Sequence, residues 1–329
     1  MQDIRTPHRA IFAAVTTGRA YLELHCAVLL AGLTAVLGEL ILLEAVPLVW
    51  WRVLLAGLSF LPVVFLRREG GHLRLRPVGL SPKLIVRLLL IGAVVGAHWV
   101  TFYGSVKLAN ASVAVLCFSL VSLFTALLEP WLLRRGVDWT EVGLGAMVVP
   151  GMAMVIGVVR ADFYLGVGVG VMSAALAAVF AVLNKRYVDE VPAVTMSGVE
   201  MAGAWLAITV ATPLLVAVDM TSAAAFRPAP TDWAYMAVLV LGCTTLAFLL
   251  QLRSLKVLSA FASNLAYGLE PVYGILLAVV ILRQDRELSG GFYVGAGLIV
   301  VAILVHARLR RREVKDTKRV ASISRHEAH

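Results

Sequence analysis

Charge is scarce in this chain. Asp, Glu, Lys and Arg together make up 15% of its 329 residues, against 60% hydrophobic, and an ordinary soluble domain does not present so little charge to water. Cysteine is scarcer: Cys26, Cys117 and Cys243 each stand alone in an apolar run, at no spacing that suits a disulfide framework or a metal site. The seven histidines are equally scattered, so neither a metal nor another cofactor is expected. The long apolar runs lack the alternation of a membrane β-barrel, which leaves helices as their conformation. The glycine run 166–170 opens such an apolar stretch with no strand before it, so it is not a phosphate loop. What is present is the pattern of a polytopic, all-α membrane protein.

Ten spans follow from the apolar runs: 21–43, 47–66, 83–107, 111–133, 139–159, 163–185, 192–218, 232–252, 259–282 and 288–307. Several joints hold only a few residues, so neighbouring spans form antiparallel hairpins. Twenty-three Lys and Arg residues fall on one side of the alternating joints and five on the other. By the positive-inside rule the richer side, with both termini, is cytoplasmic, and a cell inner membrane is the expected location. The remaining basic residue, Arg52, lies inside the second span. Arg5, Arg9 and Arg19 precede the first span without a small-residue cleavage pattern, which points to an uncleaved segment 1–20 in the cytoplasm. The tail 308–329 is basic enough to hold anionic lipid. It interleaves no aromatic residues with its charges, so nucleic acid is not an expected partner.

The chain also repeats itself. Residues 31–40 align with 174–183, Val46-Pro47 with Val191-Pro192, and Ser105-Val-Lys107 with Ser254-Leu-Lys256, at an offset near 145 throughout. Each unit, 21–159 and 160–307, then holds five spans. Five is odd, so the second unit enters the bilayer upside down, giving two inverted five-helix repeats.

Several segments carry a resemblance. They are Trp51-Arg52, the run from His98 to Ser105 (HWVTFYGS), the run from Leu123 to Pro130 (LFTALLEP), Asn184-Lys185, the stretch 264–274, and Phe292-Tyr-Val-Gly-Ala-Gly297. Together they make the chain similar to EamA-like members of the drug/metabolite transporter superfamily over nearly all of 22–305. The resemblance implies ten spans in two inverted repeats and a secondary transporter of small metabolites such as amino acids, most often working outward. One joint departs from the family pattern: a Gly-Glu pair usual before the last span is replaced by Arg283-Gln284-Asp285.

Polar residues at helical spacing locate a candidate site. Ser119, Ser122, Thr125 and Glu129 share one face of the fourth span, and Asn264, Tyr267, Glu270 and Gly274 one face of the ninth. The third span adds Trp99 and Tyr103 with His98 beside them, and the seventh adds Ser197 and Glu200. At about 1.5 Å per residue, Glu270 and His98 lie near mid-depth. An acid there costs about 2.5–3.5 kcal/mol, so function is its default reading. The expected arrangement is alternating access around a central cavity. Trp99, Tyr103 and Tyr267 form its aromatic walls, Ser119, Ser122, Gln251 and Asn264 supply hydrogen bonds, and Glu270 with His98 is an ionisable centre able to exchange protons. A permanent Glu270 to His98 hydrogen bond that only fixes packing is the alternative. Arg52, Glu129 and Glu200 are expected in coupling or gating, the alternative for Glu129 being a structural pair with Arg134 or Arg52, while Glu39 faces the outer vestibule. Glycine pairs 92/96, 166/170 and 291/295 suit close helix contact. The competing functional reading is an integral-membrane enzyme, or a flippase of lipid-linked substrates using the same cavity. An enzyme would need a clustered acid, base or metal constellation that the sequence does not supply.

Overall fold

The computed structural model describes residues 6–69, 72–75, 79–187, 190–255, 257–258, 266–286, 288–302, 304–305 and 308. The first half runs α1 (Thr6–Leu40), α2 (Ala45–Phe65), α3 (Pro82–Leu108), α4 (Ala111–Phe118), α5 (Val121–Leu133), α6 (Trp139–Ala146) and α7 (Val149–Val158). The second runs α8 (Tyr164–Lys185), α9 (Ala193–Ala217), α10 (Pro230–Ala237), a π-helical stretch (Val238–Leu246), α11 (Ala247–Leu255), α12 (Glu270–Leu282) and α13 (Gly290–Ala302). Seven described segments are long and apolar enough to cross a membrane, and the apolar helices Ala45–Leu61, Glu270–Leu282 and Gly290–Ala302 are shorter.

Polar caps start two of the apolar helices. Ser81 Oγ accepts from Leu84 N, with Pro82 opening α3, and Asn110 Oδ1 accepts from Val113 N at 2.9 Å to open α4. The joint between α2 and α3 contains strands: Leu66–Glu69 and His72–Leu75 pair there as an antiparallel hairpin.

Three spans expected to be continuous are interrupted. The fourth breaks at Ser119 and Leu120, between α4 and α5, and the fifth at Met147 and Val148, between α6 and α7. In the ninth, a turn at Gly268 and Leu269 precedes α12, so Glu270 is the first residue of a helix rather than the middle of one. This changes the physics of the Glu270-Pro271 pair. An acid at a helix N-terminus is favoured by the dipole, and the donor that Pro271 lacks has no intrahelical partner there anyway.

Packing joins the halves throughout. The helix α3 lies against α8 and α9, and α2 against α9. The α10–π–α11 segment lies against α1 and α2, while α12 packs on α1 and α4, and α5 on α8. Within lipid, such contacts rest on van der Waals closeness more than on a hydrophobic drive. The α3–α9 contact is the tightest: a Cβ on Gly92 would stand 2.2 Å from Glu200 O, and one on Gly203 would stand 2.3 Å from Leu89 O. No side chain fits at either place.

Candidate functional site

Arg52 is the centre of the polar interior. It lies on α2, is 4% exposed, and is reached by groups from both halves. Its Nε and Nη2 donate to Thr244 Oγ1 at 3.2 and 3.1 Å, its Nη1 donates to the Tyr103 hydroxyl at 2.7 Å, and its guanidinium carbon lies 3.8 Å from the centre of the Trp99 ring. Thr244 in turn donates to Leu239 O at 2.9 Å, five residues back, the step that a π-helical turn brings into register. Tyr103 is fully buried and fits because residue 38 is glycine: a Cβ there would meet its ring at 2.4 Å. All these partners are neutral, and among the described residues no carboxylate lies within 4.0 Å of the guanidinium.

Glu270 opens α12 and is only partly covered. The Arg52 charge acts on it, and its own charge acts on the Tyr267 hydroxyl. The expected link from Glu270 to His98 does not form. His98 is buried on α3, with Nδ1 at 3.0 Å from Ser173 O and 2.9 Å from Ser173 Oγ, and its ring stacks on Phe118 at 5.6 Å. Ser173 Oγ donates back to His98 O at 3.0 Å. A carbonyl only accepts, so Nδ1 carries the hydrogen and the ring is spent on joining α3 to α8.

The other sequence candidates are spread more widely than one chamber. Tyr103 is a packed partner of Arg52 rather than a wall, whereas Trp99, Tyr267 and Gln251 stay partly exposed. Tyr267 packs against a cluster of buried residues formed by Ala20, Leu24, Val28, Leu258 and Ala266. Ser119, at the break between α4 and α5, gives its hydrogen to Leu116 O at 2.6 Å, and Ser122 Oγ turns to Ser119 O at 3.4 Å. Both hydroxyls keep acceptor capacity while their protons are used locally. Glu129 pairs with Lys185 at 2.5 Å and Arg135 at 3.5 Å, not with Arg134 or Arg52, because Arg134 turns left-handed to end α5. Glu200 is 1% exposed on α9, faces Asn184 at the end of α8, and leaves Oε1 without a hydrogen bond. Asn264 lies outside the described residues.

A second polar cluster, which the sequence reading missed, closes the ends of α1, α4 and α12. Glu39 Oε2 accepts from Ala111 N at 2.8 Å and from Gln284 Nε2 at 2.6 Å. Gln284 Oε1 accepts from Ser112 Oγ at 2.6 Å and Ser112 N at 3.2 Å. Lys107 Nζ donates to Ile41 O, and buried Asp232 accepts from Leu42 N at 2.7 Å. Glu39 therefore holds α4 and α12 together instead of facing open solvent. The signal for this cluster was present in the departure at 283–285: Gln284 has both a donor and an acceptor, and uses both. A surface pocket of about 430 Å³, lined by Trp131, Leu132, Leu133, Arg134 and Arg186, lies where α5 and α8 end and shares no residue with either cluster.

Comparison with known proteins agrees with this architecture. A permease-like protein, YdzE, of Bacillus subtilis (strain 168) is 32% identical over 73 residues, which cover 22% of this chain and 91% of that protein. A solved crystal structure aligns with 89% of this chain and 98% of its own at a TM-score of 0.59 and 20% identity, a likeness of fold alone. The EamA-like transporter family profile matches twice, over residues 19–157 and 164–308. The multi-pass helical architecture and the doubled profile thus lead to one assignment: this chain belongs to the EamA-like transporter family.

Proposed function

We propose that the protein is a secondary carrier of ten spans, arranged as inverted repeats 21–159 and 160–307, that exports a small metabolite such as an amino acid across the inner membrane. Both termini are then cytoplasmic, with 1–20 and the basic tail 308–329 on that side. The observation that carries the proposal is the symmetry of the helix contacts. Exchanging the halves turns the packing of α3 on α8 and α9 into that of α10–π–α11 on α1 and α2, and the packing of α12 on α1 into that of α4 and α5 on α8. Two units so related have two near-equivalent ways to rock about a shared interface, which is what alternating access needs.

The interrupted fourth and ninth spans carry the substrate path in this reading. Trp99, Tyr267, Ser119, Ser122, Gln251 and Asn264 belong to it, with Arg52 and Glu270 at its centre. His98 and Tyr103 support it from behind, the first through Ser173 and the second through Arg52. Glu270 couples transport to protons, Glu200 is a second protonatable group between α3, α8 and α9, and Glu129 gates the cytoplasmic end through Lys185. Flux into everted vesicles, measured against a metabolite panel with and without a proton gradient, tests the proposal. Gradient-driven accumulation that disappears in Glu270→Gln is expected. Undiminished, still pH-dependent flux in that variant removes the coupling role, and no flux of any compound refutes the carrier.

A further inference from the structure

The carrier reading leaves one feature of the interior unexplained: a guanidinium held among neutral groups. Burying a charge without an opposite one is costly, and a structural arginine in lipid normally finds a carboxylate. Arg52 instead has an indole face, a phenol and a threonine hydroxyl. Of the five N–H donors of a guanidinium, Thr244 takes two and Tyr103 takes one, which leaves one on each terminal nitrogen. The fixed partners hold the plane in place, and Trp99, itself partly exposed, covers one face of it. The negative group whose field meets this charge is Glu270, partly uncovered and outside hydrogen-bond range.

We infer that the transported molecule carries a carboxylate, and that Arg52 binds it through its two remaining N–H donors while Glu270 competes for the same positive charge. This deepens the carrier reading and rests on it. A planar, pre-oriented fork is the arrangement that recognises a carboxylate with geometric selectivity, which a lysine in the same place does not reproduce. With the site empty, Glu270 balances Arg52 across a gap. With a carboxylate bound, two negative charges share one positive charge, and Glu270 is driven to take up a proton. Binding of the acid and uptake of a proton are thereby linked without direct contact between them, so acid and proton cross in the same direction, and the gradient that drives accumulation in everted vesicles is one with its acid side outside. The other titratable groups that face the pair are Tyr267 beside Glu270, and Tyr103, His98 and Cys243 around Arg52.

The test uses the full chain reconstituted in liposomes. The probes are a panel of amino acids, hydroxy acids and short dicarboxylates, each paired with its own methyl ester or amide, and counterflow rates are read for both members of each pair. Wild type is expected to move acids and to neglect their esters. In Arg52→Gln, acid rates fall about ten- to a hundredfold, the range that loss of a charge-assisted hydrogen bond gives, and the preference for acid over ester disappears. Arg52→Lys keeps the preference but raises the KM for the acid about tenfold, and it carries the test if the glutamine variant does not fold. Glu270→Gln, which removes the competitor, lowers that KM. The acid-to-ester ratio separates this inference from simple damage, since a misfolded carrier loses both rates together. Esters moving as well as acids in wild type, or an Arg52→Gln variant that still prefers acids, overturns the inference and leaves the carrier standing. Movement of neither member of any pair refutes both.

Discussion

Replacing Gln284 by glutamate restores the residue type that the family usually carries near this joint, and the structure predicts that here it destabilises the protein in a pH-dependent way. The amide nitrogen of Gln284 donates to Glu39 Oε2 at 2.6 Å. In Gln284→Glu a carboxylate oxygen takes its place. At that separation, and with an effective dielectric constant of about 20, two full charges repel by about 6 kcal/mol. Holding a proton on one carboxyl of ordinary acidity costs about 4 kcal/mol at pH 7, so the pair keeps a single shared proton. The penalty is then the cost of that proton: about 1 kcal/mol at pH 5, rising by about 1.4 kcal/mol per pH unit until repulsion caps it. The sign follows because the folded state binds a proton that the unfolded state releases, so stability is present at low pH and lost as pH rises. Lys107, whose charge is felt by both Glu39 and Asp232, lowers the cap. The donors on Ser112 still satisfy the other oxygen. Unfolding of purified wild type and variant, compared between pH 5 and pH 8, should give curves that nearly coincide at the acid end and separate steadily above it. A variant as stable as wild type at pH 8, or a loss that does not change with pH, refutes the reasoning.

Other perturbations follow from the same geometry. Gly38→Ala pushes Tyr103 off Arg52, since its Cβ would meet the ring at 2.4 Å; a loss of about 1–3 kcal/mol in unfolding experiments is expected, with transport impaired as well. Gly92→Ala should be far worse than Gly96→Ala, because the first strikes the Glu200 backbone at 2.2 Å while the second comes no nearer to Ala204 than 3.2 Å, at its Cβ; expression and melting of the two variants decide it. Ser173→Ala keeps the carbonyl that His98 bonds and loses only the hydroxyl contacts, so a modest loss of about 1 kcal/mol is expected, and a collapse of folding would refute it. Lys185→Ala at the exposed Glu129 pair should cost less than about 1 kcal/mol, and that cost should shrink as salt is added, because salt screens the wild-type pair; a cost that grows with salt would refute it.

Much of the architecture was legible in the residue order. Apolar length is a one-dimensional property, so the spans and most of their limits emerge by counting: the third was placed at 83–107 and is Pro82–Leu108, and the sixth at 163–185 and is Tyr164–Lys185. The repeat was legible too, because matched pairs such as Val46-Pro47 and Val191-Pro192 keep their spacing whatever the chain does in space. That Arg52 and Glu270 are exceptional also needs no coordinates, since ionisable groups inside apolar runs are costly wherever they point.

What each polar group is paired with is a different kind of fact. A buried charge takes whatever partner the packing brings, and Thr244 stands 192 residues from Arg52, on a π-helical stretch that hydropathy cannot distinguish from an α-helix. For the same reason His98 was assigned to Glu270 on depth alone, whereas the close α3–α8 contact gives it Ser173. Glu270 was read as a mid-helix acid, and only the turn at Gly268 and Leu269 makes it a helix N-terminus. The residue order by itself determined a membrane protein of two related halves with rare charges in its spans. The tertiary structure alone decided which neutral groups surround the arginine and which acid faces it, because hydrogen bonds and charge pairs are satisfied by neighbours in space, and those neighbours come from both halves of the chain.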